Sequence, residues 1–538
     1  MTAPSSLHPS SASMDSGAPG SDTAPGALLD SPLGAGDAAQ KLSRGEPALV
    51  WRTMIADSDT PVGAARRLMQ SGRGDFLLES VEGGEVRGRY SLLGLDPDLV
   101  FRASEATAAI NSDWRRNREA FEPCTGDALS ELRALAEACR IDAPEALPPA
   151  LACLVGYFGY ETIGLVETLP RAGASALDLP DMLFVRPTLI LVFDGLSDEL
   201  FAIAPLWPDE AARAAPQRAI AEAGERIDEA LRTLSAPVPV SAPVSPSVSL
   251  SVAEPVLEPV MGGEDYKQMV ARAKDYIVAG DIFQVVLAQR FTCPFALPPL
   301  ELYRALRRVN PSPFLYFLDL PGFAIVGSSP EILVRVRDGD VTIRPIAGTR
   351  PRGATRAEDE ANEASLLADP KERAEHLMLL DLGRNDVGRV ASRGSVEVTD
   401  SFGIERYSHV MHIVSNVVGR LAEGKDAIDA LFAGFPAGTV SGAPKIRACE
   451  IIAELESETR GAYAGGVGYF APDGSVDSCI VLRTAVVKDE VMHVQAGAGI
   501  VADSDPDYEL AECRAKAGAL IAAASEAVRL ASEPGYGQ

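Results

Sequence analysis

Apolar residues recur three and four apart through Asp265–Ala279, Pro299–Val309 and Asp359–Leu380, the spacing that lines one face of a helix. The same reading predicts an amphipathic helix near Asp209 to Leu234 and a final helix after Pro506. Continuous or alternating apolar runs predict strands, for example Thr188–Phe193. Pro472-Asp473-Gly474 predicts a tight turn between Gly466–Phe470 and Val476–Val487, and Lys488-Asp489-Glu490 a second turn into Val491–Gln495. Helices and strands mix without a regular strand–helix–strand rhythm, which argues against a simple doubly wound sheet.

Two stretches interrupt this pattern. Residues 1–44 are Ser, Ala, Gly and Pro with little to bury, so they are expected to be disordered. Ser235 to Val260 holds six prolines and no basic residue, the composition of an extended connector, although Val248, Leu250 and Val252 alternate with serines as a short strand would. The chain thus divides into an extension (1–44), a first folded region (45–234), a connector (235–262), a second folded region (263–525) and a tail (526–538).

Composition narrows the function. The 538 residues are 46% apolar and 23% charged, a globular balance, with a net charge of -27. Such a surface disfavours nucleic acid and anionic membranes, and any anionic ligand needs local positive charge. Seven scattered cysteines with no C-x-x-C pair read as reduced thiols. No apolar run approaches the ~18 residues of a membrane span, and the first 40 residues carry Asp15, Asp22, Asp30 and Asp37 but no Lys or Arg. Neither a signal nor a transit peptide has that pattern, so a cytoplasmic location is expected.

Candidate chemistry lies mostly in the second region. Glu372 and Glu375 stand three apart on one helix face, and Glu509 and Glu512 repeat the spacing in the last helix. Two such pairs suit Mg²⁺, a hard ion that takes one or two carboxylates and leaves room for substrate oxygens. Taken singly, each is more often a solvated acidic face, and Glu512 with Lys516 is an ordinary i, i+4 ion pair. Gly497-Ala498-Gly499-Ile-Val-Ala502 matches a dinucleotide fingerprint, but the helix opens only after Pro506, which leaves a glycine turn able to hold a carboxylate. Gly438 to Lys445 has the wrong spacing, and a proline, for a phosphate loop. Arg483 is expected on a strand, sharing a face with Cys479 and Val481. His409 and His412 cluster without metal-ligand spacing.

Taken in order, Leu77–Ser80, Gly280–Gln284, Asn310–Pro313, Pro345–Thr349, Lys371–Asp386, Ala437–Lys445 and Gly497–Lys516 resemble the chorismate-utilising enzymes, most closely the large-subunit (component I) anthranilate synthases. That resemblance implies an α/β fold of two large packed β-sheets flanked by helices, with the active-site cleft between them. It implies Mg²⁺ on Glu375 and Glu512, against the ring carboxylate of chorismate. The enolpyruvyl carboxylate is expected at Tyr463, Arg483 and the backbone of Gly497, Ala498 and Gly499, with Lys516 assisting and Gly348 and Thr349 also touching substrate. Glu372 is the candidate acid for the departing C4 hydroxyl, one turn from Glu375, where burial is expected to keep it protonated. His412 and Thr439 are assigned to the reacting ring.

Two positions separate branches of the family. Isochorismate-forming relatives carry lysine where this chain has Gln284, and aminodeoxychorismate synthases carry lysine where it has Ala347. Neither lysine is present, which favours ammonia as nucleophile and anthranilate as product over an aminodeoxychorismate synthase or a non-catalytic regulatory homologue. The resemblance further implies feedback inhibition by L-tryptophan, bound by Glu79, Ser80, Pro311, Ser312 and Pro313. It also implies a separate glutamine amidotransferase subunit as ammonia source, in a heterotetramer with two copies of each chain, because no cysteine here sits in a nucleophile elbow.

Overall fold

The computed structural model describes residues 33–82, 86–173, 177–236, 255–407 and 410–532. Predominantly apolar runs such as Leu189–Asp194 and Phe323–Ser329 form strands buried on both faces, as interior strands do. They assemble into two twelve-stranded sheets. The first runs Ala48–Ile55, Glu199–Leu206, Leu189–Asp194, Tyr90–Leu95, Asp75–Glu79, Phe314–Leu320, Phe323–Ser329, Thr484–Lys488, Val491–Ile500, Gln284–Pro294, Glu258–Pro259, with Gly442–Ala443 also on Gln284–Pro294. The second runs Ile346–Pro351, Val410–Arg420, Asp340–Ile343, Ile332–Arg337, Val476–Ile480, Gly466–Phe470, Leu154–Phe158, Met182–Arg186, Leu99–Ser104, Thr107–Asn111, Glu122–Pro123, with Glu397–Arg406 on Val410–Arg420.

Both sheets draw strands from both halves of the chain, so the two expected regions are not separate bodies. Asp75–Glu79 pairs with Phe314–Leu320, and Leu154–Phe158 pairs with Gly466–Phe470. Facing side chains join the sheets: Phe76, Tyr316 and Ile325 of the first share one core with Val100, Tyr157 and Val467 of the second. Helices Pro216–Ser235, Pro299–Val309 and Pro506–Ser532 cover the outer face of the first sheet.

Four boundaries differ from the sequence reading. Ala38–Arg44, expected to be disordered, is a helix with Leu42 fully buried against the first sheet's helical layer; residues 1–32 lie outside the described part. The last helix continues past 525 to Ser532, with Ala527 still packed in the outer core of the first sheet and Leu530 buried. The Asp359–Leu380 helix is two, Arg356–Ala368 and Pro370–Gly388. Pro370 disfavours a helical Asp369, whose carboxylate instead caps Lys371 and Glu372 N–H groups. Pro216 divides the Asp209–Leu234 helix in the same way. Connector residues 237–254, His409 and residues 533–538 are outside the described residues.

A fifth difference positions the site. Val476–Val487 is not one strand: Val476–Ile480 belongs to the second sheet and Thr484–Lys488 to the first. The chain changes sheets across Val481–Arg483, with Arg483 at φ 48°. A second crossover lies beside it, at Pro330–Glu331 between Phe323–Ser329 and Ile332–Arg337. The two are tied together, Ile480 N–H donating to Glu331 O (3.1 Å) and Ser328 N–H to Arg483 O (3.2 Å). They form a seam between the sheets.

Candidate active site

The seam collects groups that open strands do not. Glu331 is buried, 7% exposed, and the Thr439 hydroxyl stands 3.1 Å from both its carboxylate oxygens. Burial pushes its pKa up to about 8, the Thr439 hydrogen bond and the Arg483 charge offsetting only part of that. Glu331 therefore holds a proton at neutral pH. Arg483, half-buried, has no ion-pair partner among the described residues; Tyr407 and Glu331 are the groups whose charge it feels. A guanidinium so placed is a ready receptor for a carboxylate. Its expected place on a strand was wrong because a strand cannot turn between sheets, whereas a left-handed residue can.

His412 is buried on Val410–Arg420, opposite Thr349. A bulge at Gly348 (φ 70°) turns that residue's carbonyl toward the ring, 2.9 Å from His412 Nδ1. A carbonyl only accepts, so Nδ1 carries the proton and Nε2 of the neutral ring keeps its lone pair. Burial lowers the His412 pKa, which favours that neutral form. Thr349 Oγ1 is 3.2 Å from Nδ1.

The facing wall is built from carboxylates. Gln284 Nε2 donates to Glu375 Oε1 (3.3 Å), linking the Gln284–Pro294 strand to the Pro370–Gly388 helix. Lys516 Nζ reaches Glu512 (2.7 Å) and the Gly497 carbonyl (2.9 Å), so the plain i, i+4 pair and the site are the same contact. Burial raises the Glu375 pKa, and the nearby Glu372 charge adds to it; burial and then Glu512 raise that of Glu509. Like charges are thus gathered here, with Lys371 and Lys516 as cationic neighbours.

Among the described residues no three His, Cys, Asp or Glu side chains are gathered to hold a metal by themselves. Mg²⁺ asks for less, one or two carboxylates plus substrate and water oxygens, and Glu375 with Glu512 fit that donor set. Gly497, Ala498 and Gly499 lie within Val491–Ile500, a strand and not the expected turn. Their smallness matters: a Cβ on Gly497 would come 2.9 Å from Tyr463 Oη, and one on Gly499 2.6 Å from Gln284 Nε2. Tyr463 itself is buried.

Glu372 does not have the environment expected of it. Its side chain is 24% exposed and forms a 2.9 Å ion pair with Arg350, not the buried setting expected. Lys445 is equally far from a phosphate-loop role, buried in a 2.8 Å pair with Asp386. The sequence reading missed Glu331. Its Ser-Ser-Pro-Glu run follows an apolar strand, and a lone Glu after Pro carries no spacing signal.

Away from the cleft, Glu79 is buried and receives Tyr303 Oη (2.5 Å) and Arg307 (2.9 Å) from the Pro299–Val309 helix. Leu315 stands opposite Glu79 across the paired strands, which brings Glu79 and Ser80 toward Pro311, Ser312 and Pro313. Ser312 is buried.

Comparison with known proteins agrees with this geometry. Residues 76–522 match the model of the chorismate binding enzyme family. The anthranilate synthase component 1 of Cereibacter sphaeroides is 52% identical over 493 residues, covering 92% of this chain and 97% of that protein. That of Thermus thermophilus is 45% identical over 476 residues, with 88% and 96% covered. The crystal structure of anthranilate synthase component I from Streptococcus pneumoniae superposes with a TM-score of 0.70 at 34% identity, covering 87% of this chain and 99% of that one. A menaquinone-specific isochorismate synthase from Escherichia coli shares the fold, with a TM-score of 0.66 at 20% identity over 90% of this chain and 98% of its own.

Proposed function

The chain belongs to the chorismate binding enzyme family, among its anthranilate synthase component 1 members, and from that premise we propose that it aminates chorismate with ammonia and eliminates pyruvate to give anthranilate, the first step toward tryptophan. The observation that supports this most is a buried proton donor, Glu331, in a site whose nucleophile side presents an amide, Gln284. An amide does not deprotonate water. Gln284 Oε1 is buried with no hydrogen-bond partner among the described residues, an acceptor suited to an N–H of ammonia.

Arg483 takes the enolpyruvyl carboxylate, with Tyr463 and the Gly497–Gly499 backbone beside it, and Lys516 adds positive charge. Glu375 and Glu512 would hold Mg²⁺, which when bound would neutralise and orient the ring carboxylate. Ammonia forms a bond to ring C2, the C1=C2 and C5=C6 double bonds shift to C1=C6 and C4=C5, and the C4–O bond breaks. Hydroxide is a poor leaving group, so Glu331 gives it a proton and water departs. The new ammonium group loses a proton, which restores Glu331. His412 Nε2 then takes the C2 proton, the C3–O bond breaks, and the enolpyruvate leaves, gaining a proton on carbon to become pyruvate. Thr439 orients Glu331 throughout, and Glu372, held by Arg350, positions the start of the helix that carries Glu375.

Free ammonia is scarce at neutral pH, so a glutamine amidotransferase subunit supplies it, two copies of each chain forming a heterotetramer. The buried Glu79 network with Ser80 and the 311–313 segment supports a tryptophan pocket away from the cleft. No helix among the described residues is long and apolar enough to cross a membrane, in keeping with a cytoplasmic enzyme. The test is product analysis with chorismate, Mg²⁺ and ammonium: anthranilate and pyruvate in equal amounts are expected. Accumulated isochorismate or 4-amino-4-deoxychorismate overturns the assignment. The isolated chain should use ammonium but not glutamine, and adding the amidotransferase subunit should restore glutamine use.

A further inference from the structure

Behind the seam lies an ion pair that the reaction does not use. Arg460 and Glu456 are buried, with side chains 1% and 4% exposed. Arg460 Nε donates to Glu456 Oε2 (2.8 Å) and Nη2 to Oε1 (2.5 Å). Its remaining donors leave the pair: Nη1 reaches the Val440 carbonyl (2.7 Å) and Nη2 the Val286 carbonyl (2.8 Å). Glu456 Oε1 also accepts the Ala288 N–H at 2.8 Å. The guanidinium lies over two rings, 4.7 Å from Tyr160 and 5.6 Å from Tyr463.

Each of these contacts ends one residue from, or upon, the site. Val440 follows Thr439 in the turn Gly438–Val440. Val286 and Ala288 stand opposite Gly499 and Gly497 in the paired strands, and Val286 N–H also binds the Ser441 carbonyl (2.8 Å). Within the turn, Val440 N–H reaches the Ala437 carbonyl (3.2 Å) and Ser441 Oγ donates to the same carbonyl (2.8 Å), while the Val440 carbonyl is held by Arg460. A buried ion pair is weak evidence for stability, because desolvation consumes most of its Coulombic gain. A pair this fully hydrogen-bonded to backbone is better explained by the geometry it fixes.

We propose that Arg460, braced by Glu456, is a positioning residue that holds the Thr439 turn and the strand behind Gly497–Gly499 at the spacing the acid Glu331 requires. It touches no reacting atom and acts through Thr439. This inference rests on the reaction proposed above.

The experiment is a kinetic double-mutant cycle between Arg460→Lys and Thr439→Val, in the ammonium-dependent assay of the full chain. Lysine keeps the charge beside Glu456 but cannot span two carbonyls and a carboxylate. Arg460→Lys should lower kcat by about 10²-fold, the scale on which small misplacements cost. KM for chorismate should stay within a few-fold, since Arg483 and the carboxylate wall remain. Added to Thr439→Val, the same substitution should cost almost nothing further. Losses that multiply, an unchanged kcat, or a loss confined to KM would each overturn the inference. If Arg460→Lys fails to fold, the pair replacement Arg460→Met with Glu456→Leu removes both buried charges together and carries the same prediction. A wild-type chain that makes no anthranilate defeats the proposed function instead, so the two failures are distinguishable.

Discussion

The two walls of the cleft solve opposite electrostatic problems. The carboxylate wall gathers Glu375, Glu509 and Glu512 on two helices, with Lys371 and Lys516 near them. The seam holds a neutral acid and an unpaired guanidinium at two sheet crossovers. The first wall accumulates negative charge that a divalent cation would relieve. The second buries Glu331, which keeps its proton, and leaves Arg483 without an ion-pair partner among the described residues. In a chain of net charge -27, the binding of a dianion proposed above relies on local positive charge at Arg483 and Lys516. Helix faces serve for gathering, and buried turns serve for isolating.

The comparison breaks most severely at the seam. Glu331→Gln leaves volume and burial almost unchanged but removes the proton donor, so kcat should fall by ~10²–10⁴-fold with chorismate binding retained. Rapid-quench product analysis on the folded variant checks this. On the opposite wall, Glu375→Gln or Glu512→Gln should cost at least roughly 10²-fold, the scale of losing one preorganised charge-stabilising group. Raising Mg²⁺ should recover part of that loss but none of the loss in Glu331→Gln. Near-normal rates in both wall variants at millimolar Mg²⁺ would remove the metal assignment.

Glu372→Gln sharpens the division further. Glu372 is ion-paired to Arg350, so its loss should be smaller than that of Glu331→Gln. A reversal of that order in kcat returns the acid role to Glu372. The smallest effect on catalysis belongs to Ser80→Phe. It should leave turnover near wild type while relieving inhibition by tryptophan, read from inhibition curves. Inhibition requires different affinities for two states, and a wild-type enzyme indifferent to millimolar tryptophan would dispose of the pocket.

The carboxylate pairs were legible in the sequence because they repeat at helical spacing, and Pro506 was read as a helix start, whereas the start at Pro370 was read through. Helices such as Pro299–Val309 were legible for the same reason. The seam was not. Glu331 and Arg483 are 152 positions apart, and what joins them is the side-by-side pairing of strands that change sheets. Periodicity read Val476–Val487 as one strand since alternation continues through the crossover, and nothing local records that the chain passes from one sheet to the other at Val481–Arg483. The burial of Leu42 was equally invisible. A short helix in a Gly- and Ala-rich stretch is stabilised by the surface it covers, and its own propensity says little.

The central claim is that an acid kept protonated by burial works opposite a charged wall. The most direct measurement is kcat/KM for chorismate against pH, at saturating Mg²⁺ and a fixed concentration of neutral ammonia, which reports the free enzyme's groups. Burial raises the Glu331 pKa to about 8; the donating form is present below that value and is lost as pH rises through it. The wild type should therefore show an alkaline limb near about 8, and Glu331→Gln, at its residual rate, should lack it. A limb that persists unchanged in Glu331→Gln would contradict the account.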